Sequence, residues 1–131
     1  MNKKTVNLCP CGTEKSYKDC CEQYHLWQKN PPTAEILMRS RYSAYALHKA
    51  DYLIKTWHPQ TLPKKLDEEI SEAKWIELVI NKSWNSDLPN EAFVDFTARY
   101  RNAKGKADKM HEISRFIRHG EHWFYVDGKF I

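Results

Sequence analysis

The four cysteines of this 131-residue chain all lie between positions 9 and 21. They form two pairs, Cys9 with Cys11 and Cys20 with Cys21, and eight residues separate the pairs. Two turns of chain that each present two sulfurs can converge on one ion, and Zn²⁺ accepts four thiolates in a tetrahedral shell. Because a closed shell of four sulfurs leaves no position for water or substrate, the spacing predicts one structural zinc ion.

Disulfide bridges and free redox-active thiols are the alternatives for these four cysteines. A bridge between Cys9 and Cys11, or between Cys20 and Cys21, would have poor disulfide geometry. The N-terminus has no long apolar region of the kind that a secretory signal needs, so we expect a cytoplasmic protein whose thiols stay reduced. His25 lies close enough in sequence to replace one sulfur, although a packed or solvated histidine is the more common outcome.

The segment after the cysteines predicts helices. Pro31-Pro32 favours an extended joint, and Thr33 offers a side-chain oxygen that can cap a helix. No apolar run approaches the roughly 18 residues that a membrane helix needs, so no membrane insertion is expected. Helical spacing and stop signals predict three helices, over Ala34–Lys49, over Tyr52–Trp57, and from Pro63 to about Ala73.

Beyond residue 74 the hydrophobic period changes from helical spacing to an alternation of two. Turn-forming residues separate four predicted strands, Lys74–Trp84, Ala92–Arg101, Met110–Arg118 and His122–Val126. Short links between consecutive strands require antiparallel neighbours. Three helices followed by an antiparallel meander predict an α+β domain in which a curved sheet packs over the helices.

The cysteine segment resembles the SEC-C motif, a small zinc-binding module. The resemblance rests on Cys9-Pro10-Cys11-Gly12, on the aromatic Tyr17 and on Cys20-Cys21. The sequence departs from the motif at Thr13-Glu14, where relatives usually carry Ser-Gly. The resemblance implies zinc as the cofactor and the four cysteines as its ligands.

The rest of the chain resembles the YchJ family of uncharacterised bacterial proteins. The matching segments are Pro32-Thr33-Ala34-Glu35, Leu37-Met38-Arg39-Ser40-Arg41-Tyr42-Ser43-Ala44-Tyr45, Asp51-Tyr52-Leu53, Thr56-Trp57-His58-Pro59, His111-Glu112-Ile113-Ser114-Arg115-Phe116 and Tyr125-Val126-Asp127-Gly128. The resemblance implies a nuclear transport factor 2-like domain, a cone of helices and curved sheet around an internal cavity. It divides the chain into a zinc motif over residues 1–30 and a cone over residues 31–131.

Polar residues on buried faces are the candidates for function inside this cone, because the fold alone does not select a chemistry. Arg41 lies between Leu37 and Tyr45 on the apolar face of its helix, where a guanidinium needs polar partners. We hypothesise a cavity for a small anionic or carbonyl ligand, lined by Arg41, Tyr45, Trp57, His58, Glu112 and Ser114. The alternative is a structural ion pair between Arg41 and one acid, Asp95 or Glu112.

Two functional classes follow, and the sequence leaves open whether the protein is an enzyme. We slightly favour the first, in which the zinc motif docks a protein or ribosomal partner through a surface that includes Lys3, Lys4, Lys15 and Lys18, as the SEC-C resemblance implies. In the second, the cavity performs isomerase, lyase or hydrolase chemistry, with His58 or Glu112 taking a proton while Arg41 and Tyr45 stabilise negative charge.

Nucleic acid is the third and least favoured partner class. The net charge is +4 with both signs mixed, and the aromatic residues follow core periodicity instead of alternating with basic residues along one stripe.

The curved sheets of nuclear transport factor 2-like domains often pair, so the resemblance also implies a homodimer through the sheet.

Overall fold

The structure, a computed structural model, describes residues 7–64 and 73–131. A short 3-10 turn, Tyr17–Asp19, precedes the first helix. The helices are α1 (Glu22–His25), α2 (Ala34–Ala46) and α3 (Ala50–Lys55), and the strands are β1 (Lys74–Asn85), β2 (Glu91–Arg101), β3 (Ala107–His119) and β4 (His122–Phe130). The predicted α+β class is confirmed. Most of the third predicted helix, from Pro63, falls outside the described residues. Within the described ranges, no helix has the length and hydrophobicity that a membrane crossing requires.

The four strands form one antiparallel sheet in the order β1-β2-β3-β4. Alternation along β2 buries Val94 and Phe96 on the inner face, which packs against α2. Phe96 is the cross-strand partner of Glu112, so this acid belongs to the inner face. Asp95 points to the outer face, because successive side chains of a strand alternate. The period-two pattern therefore predicted four strands correctly.

Helix α2 begins where the sequence predicts and ends earlier. Thr33 Oγ1 accepts a hydrogen bond of 3.1 Å from the backbone N–H of Ile36, as an N-cap does. The helix stops at Ala46 rather than at Lys49, because His48 adopts a left-handed backbone with φ of 58°. The Lys49 N–H then donates to the carbonyl of Ala44 at 2.8 Å and closes the helix end.

The core lies between α2 and the inner face of the sheet, and it also includes the cysteine segment. Leu37, Val94 and Phe116 are fully buried at its centre. Cys11 and Cys21, which are 0% and 1% exposed, belong to the same hydrophobic cluster. The geometry of the cysteine segment and the position of α2 are therefore linked by shared packing.

Candidate metal centre and ligand cavity

The sulfurs of Cys9, Cys11, Cys20 and Cys21 all lie within 4.8 Å of one another. The Cys11 and Cys20 sulfurs are 3.6 Å apart, and the Cys20 and Cys21 sulfurs are 4.0 Å apart. Four sulfurs around a tetrahedral Zn²⁺ at about 2.3 Å would be about 3.8 Å apart. All four cysteines are free of disulfide bonds. This set of donors therefore fits one tetrahedral metal ion.

Two tight bends bring the cysteine pairs together. Gly12 has φ of 89°, a left-handed conformation that glycine adopts at little cost. The N–H of Cys9 donates to the carbonyl of Lys15 at 2.8 Å and closes the loop between the pairs. Glu14 is also left-handed, with φ of 66°. The glycine that SEC-C relatives usually carry at this position would adopt that conformation without strain.

Two hydroxyl groups contact the sulfurs. Thr13 Oγ1 lies 3.1 Å from Cys20 Sγ, and Ser43 Oγ lies 3.3 Å from Cys9 Sγ. Ser43 comes from α2, far along the chain, so no local pattern signals its role. Lys15 and Lys18 are exposed, and Lys3 and Lys4 lie outside the described residues.

His25 is not available as a metal ligand in this arrangement. Its Nε2–H donates to the carbonyl of Ser40 at 2.8 Å, which leaves Nδ1 to accept from the Tyr17 hydroxyl at 2.6 Å. Both ring nitrogens are therefore engaged. The histidine instead connects the cysteine segment to α2.

The thiols depend on one another for their protonation. Burial raises the pKa of the Cys20 thiol to about 11. Hydrogen bonding with Cys11 and then Cys9 raises the pKa of Cys21, and the hydrogen bond from Cys21 lowers the pKa of Cys11. A bound dication would displace the thiol protons, as metal binding to thiols does in general.

A second candidate site is a cavity of about 290 Å³ between α2 and the inner face of the sheet. Five of the six residues hypothesised to line a pocket do so, namely Arg41, Tyr45, Trp57, Glu112 and Ser114. Aromatic side chains form most of the remaining wall, including Tyr42, Trp75, Phe96 and Tyr125. The site is therefore a small aromatic chamber with a few polar groups in its wall.

The guanidinium of Arg41 is only 2% exposed and is held by neutral groups. Its Nη1 donates to the carbonyl of Leu53 at 3.0 Å and to Thr56 Oγ1 at 2.7 Å. The Arg41 Cζ lies 5.1 Å from the ring centre of Trp57 and 4.8 Å from that of Tyr125, in cation–π contact. Burial lowers the pKa of Arg41, yet arginine keeps its charge in proteins.

The ion pair considered as an alternative is not formed. Among the described residues, no carboxylate oxygen lies within 4.0 Å of the Arg41 guanidinium. Asp95 lies on the outer face of the sheet, where it accepts hydrogen bonds from Asn81 at 3.0 Å and from His111 at 2.5 Å. The sheet itself separates Asp95 from Arg41.

Glu112 is 6% exposed, and its carboxylate is also held by neutral donors. Its Oε2 accepts from Ser114 Oγ at 2.6 Å and from the Tyr125 hydroxyl at 3.1 Å. A Cβ on Gly128 would lie 1.9 Å from the same oxygen, so the carboxylate occupies the space that a side chain would fill. Tyr125 and Gly128 were not among the residues predicted to line the cavity. A glycine in a strand signals close approach, but the predicted strand stopped at Val126.

His58 lies outside the cavity, contrary to the hypothesis. The backbone at Thr56 and His58 bonds to Tyr125 of β4, with N···O distances of 2.9 and 2.8 Å. In such an extended segment successive side chains point to opposite sides. Trp57 therefore faces the cavity, whereas the ring of His58 lies 5.9 Å from the ring of His119. His58 and Glu112 were the two residues hypothesised to take a proton. Of these two, Glu112 lies in the cavity wall.

Two family models match the chain, one on each side of the prolines at positions 31 and 32. A SEC-C motif matches residues 7–23, and the domain described as YchJ, middle NTF2-like domain, matches residues 33–128. The fold and the cysteine cluster thus define a SEC-C motif protein with an NTF2-like domain. The chain belongs to the YchJ family, and the resemblance stated from the sequence is confirmed.

Several relatives share nearly the whole chain. The UPF0225 protein of Chromobacterium violaceum is 47% identical over 130 residues, which cover 96% of this chain and 95% of the relative. That of Bordetella pertussis is 46% identical over 122 residues, which cover 92% and 90%. A SEC-C motif containing protein from Rhodopseudomonas palustris, solved in solution, has a TM-score of 0.83 at 31% identity and covers 94% and 98%. A crystal structure of another from Psychrobacter arcticus has a TM-score of 0.76 at 28% identity, with 94% and 81% covered.

Proposed function

We propose that this protein binds a small ligand with an anionic or carbonyl group in the cavity between α2 and the sheet. The observation that supports this function is the separation of two buried charges. Arg41 and Glu112 both lie in the cavity wall, yet in the described part of the chain neither forms an ion pair. A buried charge costs several kcal/mol, so a purely structural role would favour direct pairing.

Saturation-transfer NMR with a mixture of small carboxylic acids, keto acids and amino acids tests this function. We expect transfer to at least one component in the wild type. Ala98→Leu, which places a larger side chain in the cavity wall, is expected to abolish it. Val79→Leu on the exposed outer face is the matched control and is expected to leave it unchanged. Absence of binding in the wild type, or equal binding in Ala98→Leu, would contradict the proposal.

The proposal assigns a structural role to one zinc ion held by Cys9, Cys11, Cys20 and Cys21. Bound there, the ion supplies folding energy on the order of 10 kcal/mol and no catalytic chemistry, because four sulfurs close its shell. The SEC-C unit is proposed to span residues 1–30, and the cone residues 31–131. Elemental analysis of untagged protein is expected to give one zinc per chain, and almost none when Cys20 and Cys21 are both replaced by serine. Equal metal content in both proteins would contradict this assignment.

Docking of a protein partner by the SEC-C unit is a second candidate function. The described charged side chains of the loop balance, because exposed Lys15 and Lys18 are offset by exposed Glu14 and Asp19. These four residues therefore do not form a basic patch by themselves. Three apolar side chains near the motif are at least half exposed, Leu8, Leu26 and Trp27. We expect Leu8→Ser to remove captured partners in a pull-down and Lys18→Ala to retain them; the opposite pattern would contradict an apolar docking surface.

Acid–base catalysis in the cavity is the remaining alternative. Glu112 would take the proton, and Arg41 and Tyr45 would stabilise the negative charge that develops. Turnover of any ligand found by NMR, lost in Glu112→Gln while binding persists, is the expected signature. Binding without turnover would leave the protein as a binding module.

A further inference from the structure

We infer that the cavity recognises a zwitterion, a small molecule of the α-amino acid class that carries both a carboxylate and an ammonium group. The inference deepens the proposed function and rests on it. It comes from the charges that the cavity wall presents and from the atoms that the fold leaves free to contact a ligand.

Each of the two charged groups uses one edge for the fold and keeps another edge free. The hydrogen bonds of Arg41 run from Nη1, and the structure, over residues 7–64 and 73–131, gives Nη2 and Nε no partner. Glu112 accepts both of its hydrogen bonds at Oε2, and over the same ranges Oε1 has none. The Nε and Nη2 donors of Arg41 and the Oε1 acceptor of Glu112 are thus held in position but make no hydrogen bond within the described residues.

The hydrogen bonds that position these two groups come from the surrounding chain, and no direct bond joins the groups among the described residues. Leu53 and Thr56 of the α3 region hold the guanidinium, whereas Ser114 and Tyr125 of the sheet hold the carboxylate. Two opposite charges that are separately anchored in one wall form a fixed dipole. A ligand with the opposite dipole is its natural complement.

A simple anion fits this wall poorly. Arg41 would attract a ligand carboxylate, but Glu112 would repel it through a medium of low dielectric constant. A simple cation would be attracted by Glu112 but repelled by Arg41. An ammonium group on the same ligand removes the repulsion, because it gives Glu112 a charge-assisted hydrogen bond while the ligand carboxylate takes the free edge of Arg41.

The rest of the wall agrees with a ligand of this class. Tyr45, Trp57 and Trp75 present aromatic surface that can pack against an apolar side chain and attract an ammonium group. The volume of about 290 Å³ lies near the lower end of the range for ligand pockets, so it suits a single amino acid rather than a peptide.

The test compares whole ligands with their halves on the zinc-loaded full chain. The standard α-amino acids are titrated by calorimetry, and the tightest is compared with its deaminated acid and its decarboxylated amine. We expect each half-ligand to bind at least tenfold more weakly. In Glu112→Gln the gap between the amino acid and the deaminated acid is expected to fall below threefold, whereas Asp95→Asn, on the outer face, keeps the wild-type gap.

The outcomes separate this inference from the proposed function. A deaminated acid that binds as tightly as its amino acid would overturn the inference and leave a ligand cavity in place. The inference would also be overturned, and the ligand cavity kept, if no amino acid binds but a simple acid or keto acid does and Ala98→Leu abolishes that binding. No binding by any of these compounds would overturn both. If Glu112→Gln does not fold, the half-ligand series on the wild type alone decides.

Discussion

The close approach of Gly128 and Glu112 makes Gly128→Ala an informative substitution. The backbone of Gly128 is not in the left-handed region, so an alanine there carries no backbone strain. By chain entropy alone, the substitution would stabilise the fold by about 0.4 to 1 kcal/mol. The new Cβ, however, would lie 1.9 Å from Glu112 Oε2 and 2.4 Å from Cδ. The carboxylate must therefore move by more than 1 Å to reach an ordinary contact.

That movement breaks two hydrogen bonds to a buried charge. The bonds from Ser114 and Tyr125 are 2.6 and 3.1 Å long, and hydrogen bonds to charged groups contribute about 1.5 to 3 kcal/mol each. Set against the entropic gain, we expect Gly128→Ala to lower the free energy of unfolding by about 2 to 4 kcal/mol. Urea denaturation of the zinc-loaded protein measures this loss.

A double-mutant cycle isolates the cause. Glu112→Ala removes the atoms that the new methyl group would meet, so in that background Gly128→Ala is expected to cost less than about 1 kcal/mol. The coupling energy between the two positions should then be about 2 kcal/mol or more. A neutral or stabilising Gly128→Ala, or an equal cost in both backgrounds, would refute the packing argument.

Three further predictions concern the cysteine segment and the outer face of the sheet. Glu14→Gly should stabilise the zinc-loaded protein by about 0.5 to 1 kcal/mol in urea denaturation, because it relieves a left-handed backbone, and Glu14→Ala should give no such gain. Ser43→Ala should weaken zinc binding about tenfold in a chelator competition, since it removes the hydroxyl beside Cys9; unchanged affinity would contradict that role. Hydrogen bonding from Asn81, chiefly, lowers the pKa of Asp95. Asn81→Ala should raise that pKa in an NMR titration, and an unchanged value would count against the assignment.

The sign of the Asp95 effect also fixes a pH dependence. A carboxyl group with a lowered pKa in the folded state stabilises the protein above its unfolded pKa, near 3.9. That contribution is lost as the pH falls through the folded-state value. As the pH falls below about 4, Asn81→Ala should therefore lose less of its free energy of unfolding than the wild type does. Acid denaturation curves of the two proteins measure this difference.

Local patterns predicted the parts of the fold that depend on local chemistry. The alternation of apolar and polar residues identified all four strands, and it is clearest in β2 and β3, where burial alternates along the strand. The spacing of the four cysteines predicted that they would come together, since two short turns suffice to do so. Thr33 marked the start of α2 because a capping oxygen acts within three residues.

Features that depend on distant residues were beyond such patterns. Helix α2 ends early because His48 adopts a left-handed backbone, and no glycine at that position signals such a conformation in the sequence. The partners of Arg41 are Leu53 and Thr56, whose approach depends on how α3 packs. His58 was grouped with Trp57 by proximity in sequence, but pairing with β4 turns the two side chains to opposite sides.

Zinc K-edge X-ray absorption on the untagged protein tests the four-sulfur site most directly. We predict four zinc–sulfur distances of about 2.3 Å. We predict no nitrogen neighbour, because both ring nitrogens of His25 are hydrogen-bonded elsewhere. A nitrogen or oxygen atom in the shell around the metal, or protein purified without bound zinc, would contradict a closed thiolate site that holds this segment against α2.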